Sequence, residues 1–324
     1  MQDFAYERAL TLPKAIAALA HKGAVPLAGG TELVNWLKEG IAAPRRLVDI
    51  GGLAGLDRIA ADAKGLTLGA LARMSDAAGH AAVRRDYPAI AEALVKSASP
   101  QLRNMATLGG NLMQRNRCPY FRAEVELPCN KRKAGSGCAA LAGQDRFAAI
   151  FGWTEDCVAP HASDLAVALA ALDATIHVEG LQGTRSIAFA DFYGTTGETA
   201  LRHGELITAI HVPASETARH SHYLKIRERR SYEFALVSVA AGLVVENGHI
   251  REVRLALGGV APKPWRLRRA EKALAGVALT DDEALRRALA GDFAAARPGR
   301  HNGFKTELAL RAAIKAIRIA GEKS

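Results

Sequence analysis

Leu27-Ala-Gly-Gly-Thr-Glu-Leu-Val34 is the stretch that decides how this chain begins to fold. A short apolar strand predicted over residues 24–28 runs into two glycines and then into a helix predicted over residues 32–38. Glycines let a backbone approach a ligand closely, and the free N–H groups at a helix N-terminus favour a phosphate. Thr31 adds a hydroxyl group or caps the helix. The stretch alone predicts either a pyrophosphate cradle or a plain tight turn.

A second glycine turn, Thr107-Leu-Gly-Gly-Asn111, has the same two interpretations. Neither turn is a G-x-G-x-x-G fingerprint, and neither continues into the Gly-Lys-Ser/Thr of a P-loop. Helices and strands alternate around the two turns, with helices predicted over 13–22, 88–96 and 164–172 and strands over 47–50, 66–71 and 175–178. This order predicts an α/β unit.

The pattern changes after residue 205. Apolar or alternating runs predict strands over 206–212, 221–227, 234–246 and 250–257, and Asn247-Gly248 predicts a hairpin between the last two. Helices are predicted over 265–274, 281–290 and 303–319. Strands followed by helices indicate a separate α+β domain, so we place a boundary near Pro213, with domains at 1–213 and 214–324.

All four cysteines of the chain fall within 40 residues: Cys118, Cys129, Cys138 and Cys157. Two disulfides would suit a small secreted domain, but this chain is long enough to bury a core without them. Structural zinc usually uses close Cys-x2-Cys pairs, which are absent here. A buried thiol explains one cysteine but not four together. The spacing favours a 4Fe–4S cluster, which needs four thiolates.

Charged residues and one histidine accompany these cysteines. Six cations that would offset the charge of a thiolate-bound cluster lie at Arg115, Arg117, Arg122, Lys131, Arg132 and Lys133, and the alternative is a solvated loop. His161 follows the segment, and we interpret it as a loop residue, with a role as fifth ligand as the alternative.

Composition excludes several classes of protein. Hydrophobic residues make up 49% of the chain, an ordinary globular value, and no apolar run is long enough to span a membrane. The N-terminus has no signal-peptide pattern. Residues 219–324 carry 21 Lys and Arg against 11 Asp and Glu, but no nucleic-acid-binding motif accompanies them, so we expect a solvated or partner-facing surface. No catalytic motif such as Gly-x-Ser-x-Gly or His-Glu-x-x-His occurs, and no catalytic residue is predicted.

Five stretches together resemble the FAD-binding medium subunits of molybdenum hydroxylases, the xanthine dehydrogenase and carbon monoxide dehydrogenase group. They are Leu27-Ala-Gly-Gly-Thr-Glu-Leu33, Leu47-Val-Asp-Ile50, Ala106-Thr-Leu-Gly-Gly-Asn111, Ser163-Asp164 and Gly258-Gly-Val-Ala-Pro-Lys-Pro-Trp265. Four further stretches resemble the branch of bacterial periplasmic aldehyde oxidoreductases, whose FAD subunits carry an additional 4Fe–4S cluster. These are Asn111-Leu-Met-Gln-Arg-Asn-Arg-Cys118-Pro-Tyr-Phe121, Pro128-Cys-Asn-Lys-Arg132, Gly135-Ser-Gly-Cys-Ala-Ala-Leu141 and Ser231-Tyr-Glu-Phe-Ala-Leu-Val-Ser-Val-Ala-Ala241.

The resemblance implies a fold and a set of site residues. The fold would be α+β: an FAD-binding domain of the vanillyl-alcohol-oxidase-like (PCMH) type with a 4Fe–4S loop at 118–157, then a domain of antiparallel sheet plus helices. The implied FAD contacts are Leu27, Ala28, Gly29, Gly30, Thr31, Glu32, Leu33, Val34, Thr107, Gly110, Asn111, Gln114, Asp164, Ile207 and Lys225. The implied cluster ligands are Cys118, Cys129, Cys138 and Cys157.

The resemblance also implies a function. Electrons from an aldehyde oxidised at the molybdenum cofactor of a large partner would pass through the 2Fe–2S clusters of a small partner to FAD here, and then to an external acceptor. We expect a heterotrimer that is periplasmic and is exported with a signal-bearing partner, with a cytoplasmic location as the alternative. A stand-alone flavin oxidoreductase and a zinc-bearing interaction subunit are the competing functions.

Overall fold

The structure is a computed structural model that describes all 324 residues. Its strands, numbered along the chain, are β1 Ala5–Arg8, β2 Ala24–Leu27, β3 Arg46–Asp49, β4 Ile59–Asp62, β5 Gly65–Gly69, β6 Thr175–Gly180, β7 Gly183–Ala188, β8 Leu206–Pro213, β9 Ser221–Ile226, β10 Val237–Glu246, β11 His249–Gly258 and β12 Trp265–Arg266.

The α-helices follow the same numbering. They are α1 Leu12–Leu19, α2 Leu33–Lys38, α3 Met74–Gly79, α4 Ala81–Asp86, α5 Pro88–Lys96, α6 Pro100–Arg103, α7 Leu108–Leu112, α8 Pro119–Arg122, α9 Asp164–Ala171, α10 Glu216–Arg219, α11 Arg268–Ala273, α12 Asp282–Phe293 and α13 Phe304–Gly321. Short 3₁₀ turns lie at Ala139–Leu141 and Phe189–Asp191.

Two sheets build the first part of the molecule. A parallel three-stranded sheet has the order β1-β3-β2, and α1 packs on it. An antiparallel five-stranded sheet has the order β4-β5-β8-β6-β7. Its apolar face shares one large core with α5 and α9, because these helices carry runs of buried Ala, Leu and Ile. The first glycine turn follows β2, at the end of the parallel sheet.

A third sheet builds the C-terminal part, in the antiparallel order β12-β11-β10-β9. Side chains alternate along β10, as a strand requires. Val237, Val239 and Ala241 join a core with α11, α12 and α13, whereas Ala240 joins the core of the first part. The sheet therefore packs between the two groups of helices, and the α+β class with antiparallel sheet and helices at the C-terminal end is confirmed.

Most predicted elements are present, and the differences have physical reasons. The hairpin at Asn247-Gly248 is confirmed, with φ of 51° and 78° as a type I′ turn requires. The helix predicted from residue 265 begins at Arg268, because Trp265–Arg266 pairs with β11 as an edge strand. Strands β1, β4 and β7 were not predicted, since they are short and partly exposed and carry little hydrophobic pattern.

Two further predictions concern the whole chain. The domain boundary near Pro213 stays a prediction; in the structure this residue ends β8. No helix combines the length and the apolar composition that crossing a bilayer needs.

Candidate functional site

The first glycine turn presents backbone N–H groups that nothing in the chain accepts. Between Leu27, which ends β2, and the first turn of α2, the amides of residues 29–33 donate no hydrogen bond within the protein. The turn is closed by Val34 N–H donating to Gly30 O at 3.1 Å, and Gly30 has a φ of +70° that favours glycine. Free amides at the start of a helix form a cradle for an anion.

Gly29 joins this turn to the second one. A β-carbon at Gly29 would overlap the carbonyl oxygen of Met105 and lie 3.3 Å from Cα of Ala106. These are backbone atoms, so no side-chain rotation could make room. Glycine at position 29 therefore allows the backbone before the second turn to pack directly on the first turn.

The second glycine turn forms the short helix α7, and all of its amides are accepted within the chain. Thr107 is the N-cap, and its Oγ1 accepts a hydrogen bond from Gly110 N–H at 3.2 Å. The amides of Leu108 and Gly109 donate to Ala72 O and Ala70 O, respectively. The Asn111 amide donates to Thr107 O. This turn leaves side chains rather than backbone amides for a ligand.

Those side chains connect to α9. Asn111 Oδ1 accepts a hydrogen bond from Ser163 Oγ at 2.5 Å, and Ser163 Oγ in turn caps α9 by accepting from Ala166 N–H at 3.0 Å. Gln114 Nε2 donates to Asn111 O at 2.8 Å, which holds Gln114 beside the turn. The structure thus brings the predicted residues Asn111 and Gln114 next to Asp164, the residue after Ser163.

Asp164 forms a buried ion pair with Lys225. Lys225 Nζ lies 2.7 Å from Asp164 Oδ2, and the two side chains are only 2% and 7% exposed. Ser97 Oγ donates to the same carboxylate at 2.8 Å, and Tyr223 OH donates to it at 2.5 Å. A buried charge needs such partners. The sequence prediction included Asp164 and Lys225 but missed Ser97 and Tyr223, which no motif marks.

Ile207 lies away from these polar groups. It is buried on β8 opposite Val178 and belongs to the apolar core of the five-stranded sheet. Two surface cavities of about 250 and 430 Å³ also lie elsewhere, and neither is lined by a predicted FAD contact. The candidate site is therefore defined by the two turns and the Asp164–Lys225 pair.

The four cysteines are spread over the 118–157 loop, and some of them lie near one another. Cys129 and Cys138 face each other across a two-residue antiparallel bridge. Cys157 lies close enough to both for their charges to act on it, and Cys118 interacts in the same way with Cys157 and Cys138. All four are free thiols, which removes the disulfide alternative. No group of three or more His, Cys, Asp or Glu side chains has the arrangement of a metal site.

The surroundings of the Cys118 and Cys157 sulfurs have two opposing effects on thiol ionisation. Burial raises the pKa of the Cys118 and Cys157 thiols. Backbone N–H groups of Phe121 and Tyr120 point at the Cys118 sulfur, and that of Ala159 points at the Cys157 sulfur, which favours the thiolates. Cys157 is buried and the other three cysteines are partly exposed, so the two effects act most strongly on Cys118 and Cys157.

Two of the six cations predicted to offset a cluster charge form ion pairs with a carboxylate instead. Arg117 and Arg122 pair with Glu32 of the first turn at 2.6 and 2.7 Å. Burial raises the pKa of Glu32, but these two guanidinium groups outweigh it and leave the pKa below 4.5. Lys131 instead lies near Cys157 and favours its thiolate. The cysteine segment is thereby tied to the first turn through Glu32.

Residues 2–215 match the family described as the FAD binding domain in molybdopterin dehydrogenase, and residues 222–320 match the CO dehydrogenase flavoprotein C-terminal domain. The chain belongs to this family of FAD-binding subunits. The aldehyde oxidoreductase FAD-binding subunit PaoB of Escherichia coli is 47% identical over 319 residues, which cover 96% of each chain. The glyceraldehyde dehydrogenase medium chain of Sulfolobus acidocaldarius is 30% identical over 86% of this chain and 84% of that one.

A solved structure of the family has the same fold. The CO dehydrogenase reconstituted from Oligotropha carboxidovorans contains a chain that superposes with a TM-score of 0.79 at 25% identity, covering 100% of this chain and 99% of that one. The predicted family, the resemblance to an aldehyde oxidoreductase FAD subunit and the prediction of an FAD-binding oxidoreductase subunit are confirmed. The free amides of the first turn fit the pyrophosphate of FAD.

Proposed function

We propose that this chain is the electron-transfer flavoprotein subunit of a molybdenum-dependent aldehyde oxidoreductase. The observation that carries the proposal is the pair of glycine turns, one with free amides, packed together at Gly29 beside the Asp164–Lys225 pair. The 47% identity to an aldehyde oxidoreductase FAD-binding subunit supports aldehydes as the substrate class of the complex.

The residues around the two turns would divide the work of holding FAD. The amides of residues 29–33 would bind the pyrophosphate, while Asn111 and Gln114 would contact the middle of the cofactor with their side chains. Asp164 and Lys225 are held rigidly by their partners and would fix the orientation of the ring system. Bound FAD would take up electrons from a partner's clusters and release them to an external acceptor.

We assign Cys118, Cys129, Cys138 and Cys157 to one 4Fe–4S cluster. Four free cysteines in one loop support it, as do the N–H groups directed at two of the sulfurs and the ammonium group of Lys131 near Cys157. Such N–H groups and cations stabilise thiolates that burial alone would leave protonated. These four residues would hold the cluster, which supplies one-electron chemistry.

The proposed partners are a large molybdenum-cofactor subunit and a small 2Fe–2S subunit in a heterotrimer. The chain has no residue set for aldehyde oxidation, and its excess of positive charge lies in residues 219–324, as expected of a surface that meets an acidic partner or acceptor. We further propose that the complex is periplasmic and that this chain is exported with a signal-bearing partner. Fractionation of the native host with and without that partner tests the location, and activity found wholly in the cytoplasm would contradict it.

Cofactor analysis followed by reconstitution tests the main proposal. The chain purified without oxygen should contain one FAD and about four irons, with an electron paramagnetic signal on reduction. It should not oxidise aldehydes alone and should gain turnover when both partners are added. Aldehyde oxidation by the isolated chain would contradict the proposal. Zinc in place of iron in intact protein would support the interaction-subunit alternative instead.

A further inference from the structure

Large aromatic side chains are exposed at two places on the surface. Phe147 and Phe304 are 52% and 37% exposed, and Tyr232 and Phe234, in the loop between β9 and β10, are 57% and 46% exposed. Among the other phenylalanine, tyrosine and tryptophan residues, only Tyr6 is exposed to a comparable degree. Single exposed apolar side chains are ordinary, whereas grouped ones mark an interaction surface.

Arginine side chains lie over these rings. The guanidinium carbon of Arg146 is 4.8 Å from the ring centroid of Phe304, and that of Arg117 is 5.0 Å from the ring centroid of Phe234. A guanidinium group over an aromatic face is a favourable contact that restrains both side chains. Arginine and large aromatic residues are also the types that carry most of the binding energy in protein interfaces.

An ion pair joins the two places into one surface. Arg146 Nη2 lies 2.6 Å from Glu228 Oε1, so the segment that carries Phe147 meets the loop that carries Tyr232 and Phe234. Within that loop, the guanidinium group of Arg229 lies 5.8 Å from the ring centroid of Tyr232. We define the arginine–aromatic surface by its residues, Arg117, Arg146, Phe147, Arg229, Tyr232, Phe234 and Phe304.

The arginine–aromatic surface borders the candidate FAD site. Lys225, just before the β9–β10 loop, forms the buried ion pair with Asp164. Arg117, over the ring of Phe234, pairs with Glu32 of the first glycine turn at 2.6 Å. Electrons pass only between redox groups that lie close together, so a subunit that reduces FAD must dock beside this site.

The charge of the surface indicates the chemistry of its partner. Each of its three arginines pairs with a carboxylate of the chain. Arg227 and Arg230 of the same loop add two guanidinium groups; that of Arg227 donates to backbone carbonyls, and neither forms an ion pair within the chain. A face that combines apolar side chains with carboxylates is complementary to such a surface.

We propose that the arginine–aromatic surface is the docking site of the 2Fe–2S subunit that delivers electrons to FAD, and that the matching face of this subunit is apolar and acidic. The inference rests on the proposed function, because that proposal supplies the partner. Two relatives are described as an FAD-binding subunit and a medium chain, which agrees with a chain that works in a complex.

Calorimetric titration of the FAD-loaded chain with the purified 2Fe–2S subunit tests this. The double variant Phe147→Ser with Phe304→Ser removes two rings and leaves the contact of Arg117 with Glu32 in place. Arg230→Glu reverses a charge and breaks no ion pair within the chain.

Two control variants match these changes elsewhere on the surface. Leu181→Ser removes an apolar side chain that is 72% exposed between β6 and β7. Arg84→Glu reverses the charge of an exposed arginine on α4. Absorbance of the bound flavin and thermal unfolding confirm that all four variants are folded and loaded with FAD.

The double serine variant should raise the dissociation constant about 100-fold. Arg230→Glu should raise it about tenfold, by an amount that shrinks as salt is added. Both controls should bind like wild type. Unchanged affinity in the folded double serine variant and in Arg230→Glu would overturn the inference. Loss of binding to the molybdenum subunit alone, or of self-association alone, would overturn it too. Wild-type chain that binds no 2Fe–2S subunit would instead contradict the proposed function.

Discussion

The two glycine turns have similar sequences but opposite hydrogen-bonding states. In Leu27–Val34 the amides of residues 29–33 are free, whereas in Thr107–Asn111 the amides of residues 108–111 are all accepted within the chain. The difference arises from the acceptors. Backbone carbonyls of Ala72, Ala70 and Thr107 accept from residues 108, 109 and 111, and the Thr107 hydroxyl accepts from Gly110, whereas α2 has no side-chain cap and no carbonyl reaches residues 29–33. Two glycines in a turn therefore do not by themselves make a ligand cradle, and the state of the amides decides it.

The largest expected effect comes from separating the turns. Gly29→Val would place side-chain atoms on the backbone of Met105 and Ala106, so we expect the free energy of unfolding to fall by about 4 kcal/mol, with loss of bound FAD. Gly110→Ala is the control, since its β-carbon would meet only Thr107 Oγ1, at 2.9 Å. Denaturant unfolding measures both variants. Equal stability of the two would show that the turns do not depend on contact at Gly29.

A second prediction concerns the ion pair beside the turns. Lys225→Met leaves the Asp164 carboxylate buried without its cation, which should lower the free energy of unfolding by about 3 kcal/mol. The double variant Asp164→Asn with Lys225→Met should recover part of that loss, because no unpaired charge remains. Thermal and denaturant unfolding of the three proteins measure this. If the single variant were as stable as wild type, the pair would not anchor α9 against β9.

A third prediction concerns how the stability contributed by Glu32 of the first turn depends on pH. Because the pKa of Glu32 is lowered in the folded state, its ion pairs stabilise the protein above about pH 4.5, and this stability is lost as the pH falls through the folded-state pKa. Glu32→Gln should lower the free energy of unfolding by about 2 kcal/mol at neutral pH. It should also reduce the loss of stability that wild type shows as the pH falls below about 4.5. Denaturant unfolding at a series of pH values measures this. If Glu32→Gln lost as much stability at acid pH as wild type, Glu32 would be excluded as the cause of that loss.

The smallest expected effect comes from comparing alanine substitutions at Thr107 and Thr31, one threonine from each turn. Thr107→Ala removes an N-cap and should lower the free energy of unfolding by about 1 kcal/mol. The Thr31 hydroxyl makes no hydrogen bond within the chain, so Thr31→Ala should leave stability of the FAD-free protein unchanged and weaken FAD binding. Unfolding curves with fluorescence titrations of FAD measure both. The comparison of the turns would fail if Thr31→Ala destabilised the FAD-free protein as much as Thr107→Ala.

The sequence predicted the elements that carry a strong local pattern. The helix at Pro88–Lys96, the hairpin at Asn247-Gly248 and the strand-turn-helix at the first glycine pair are examples. The sequence left both turns with the same two interpretations, because the carbonyls of Ala70 and Ala72 that accept from the second turn come from a distant segment and leave no signature in the glycines. Edge strands β4 and β7 were missed for lack of a buried face.

The partners of the site were the least accessible to prediction. Ser97 and Tyr223 reach Asp164 only because α5, α9 and β9 pack together, at separations of 67 and 59 residues along the chain. Pairing of Glu32 with Arg117 and Arg122 likewise depends on how the cysteine segment folds against the first turn. Contacts of this kind follow from tertiary packing and not from local sequence pattern.

Hydrogen exchange of the backbone amides, measured with and without FAD, tests the central claim most directly. The amides of residues 29–33 should exchange fast in the FAD-free chain and become protected when FAD binds, because the cofactor supplies their missing acceptors. Those of residues 108–111 should be protected in both states. Unchanged exchange at residues 29–33 on binding FAD, with new protection at residues 108–111, would contradict the assignment of the first turn as the pyrophosphate cradle.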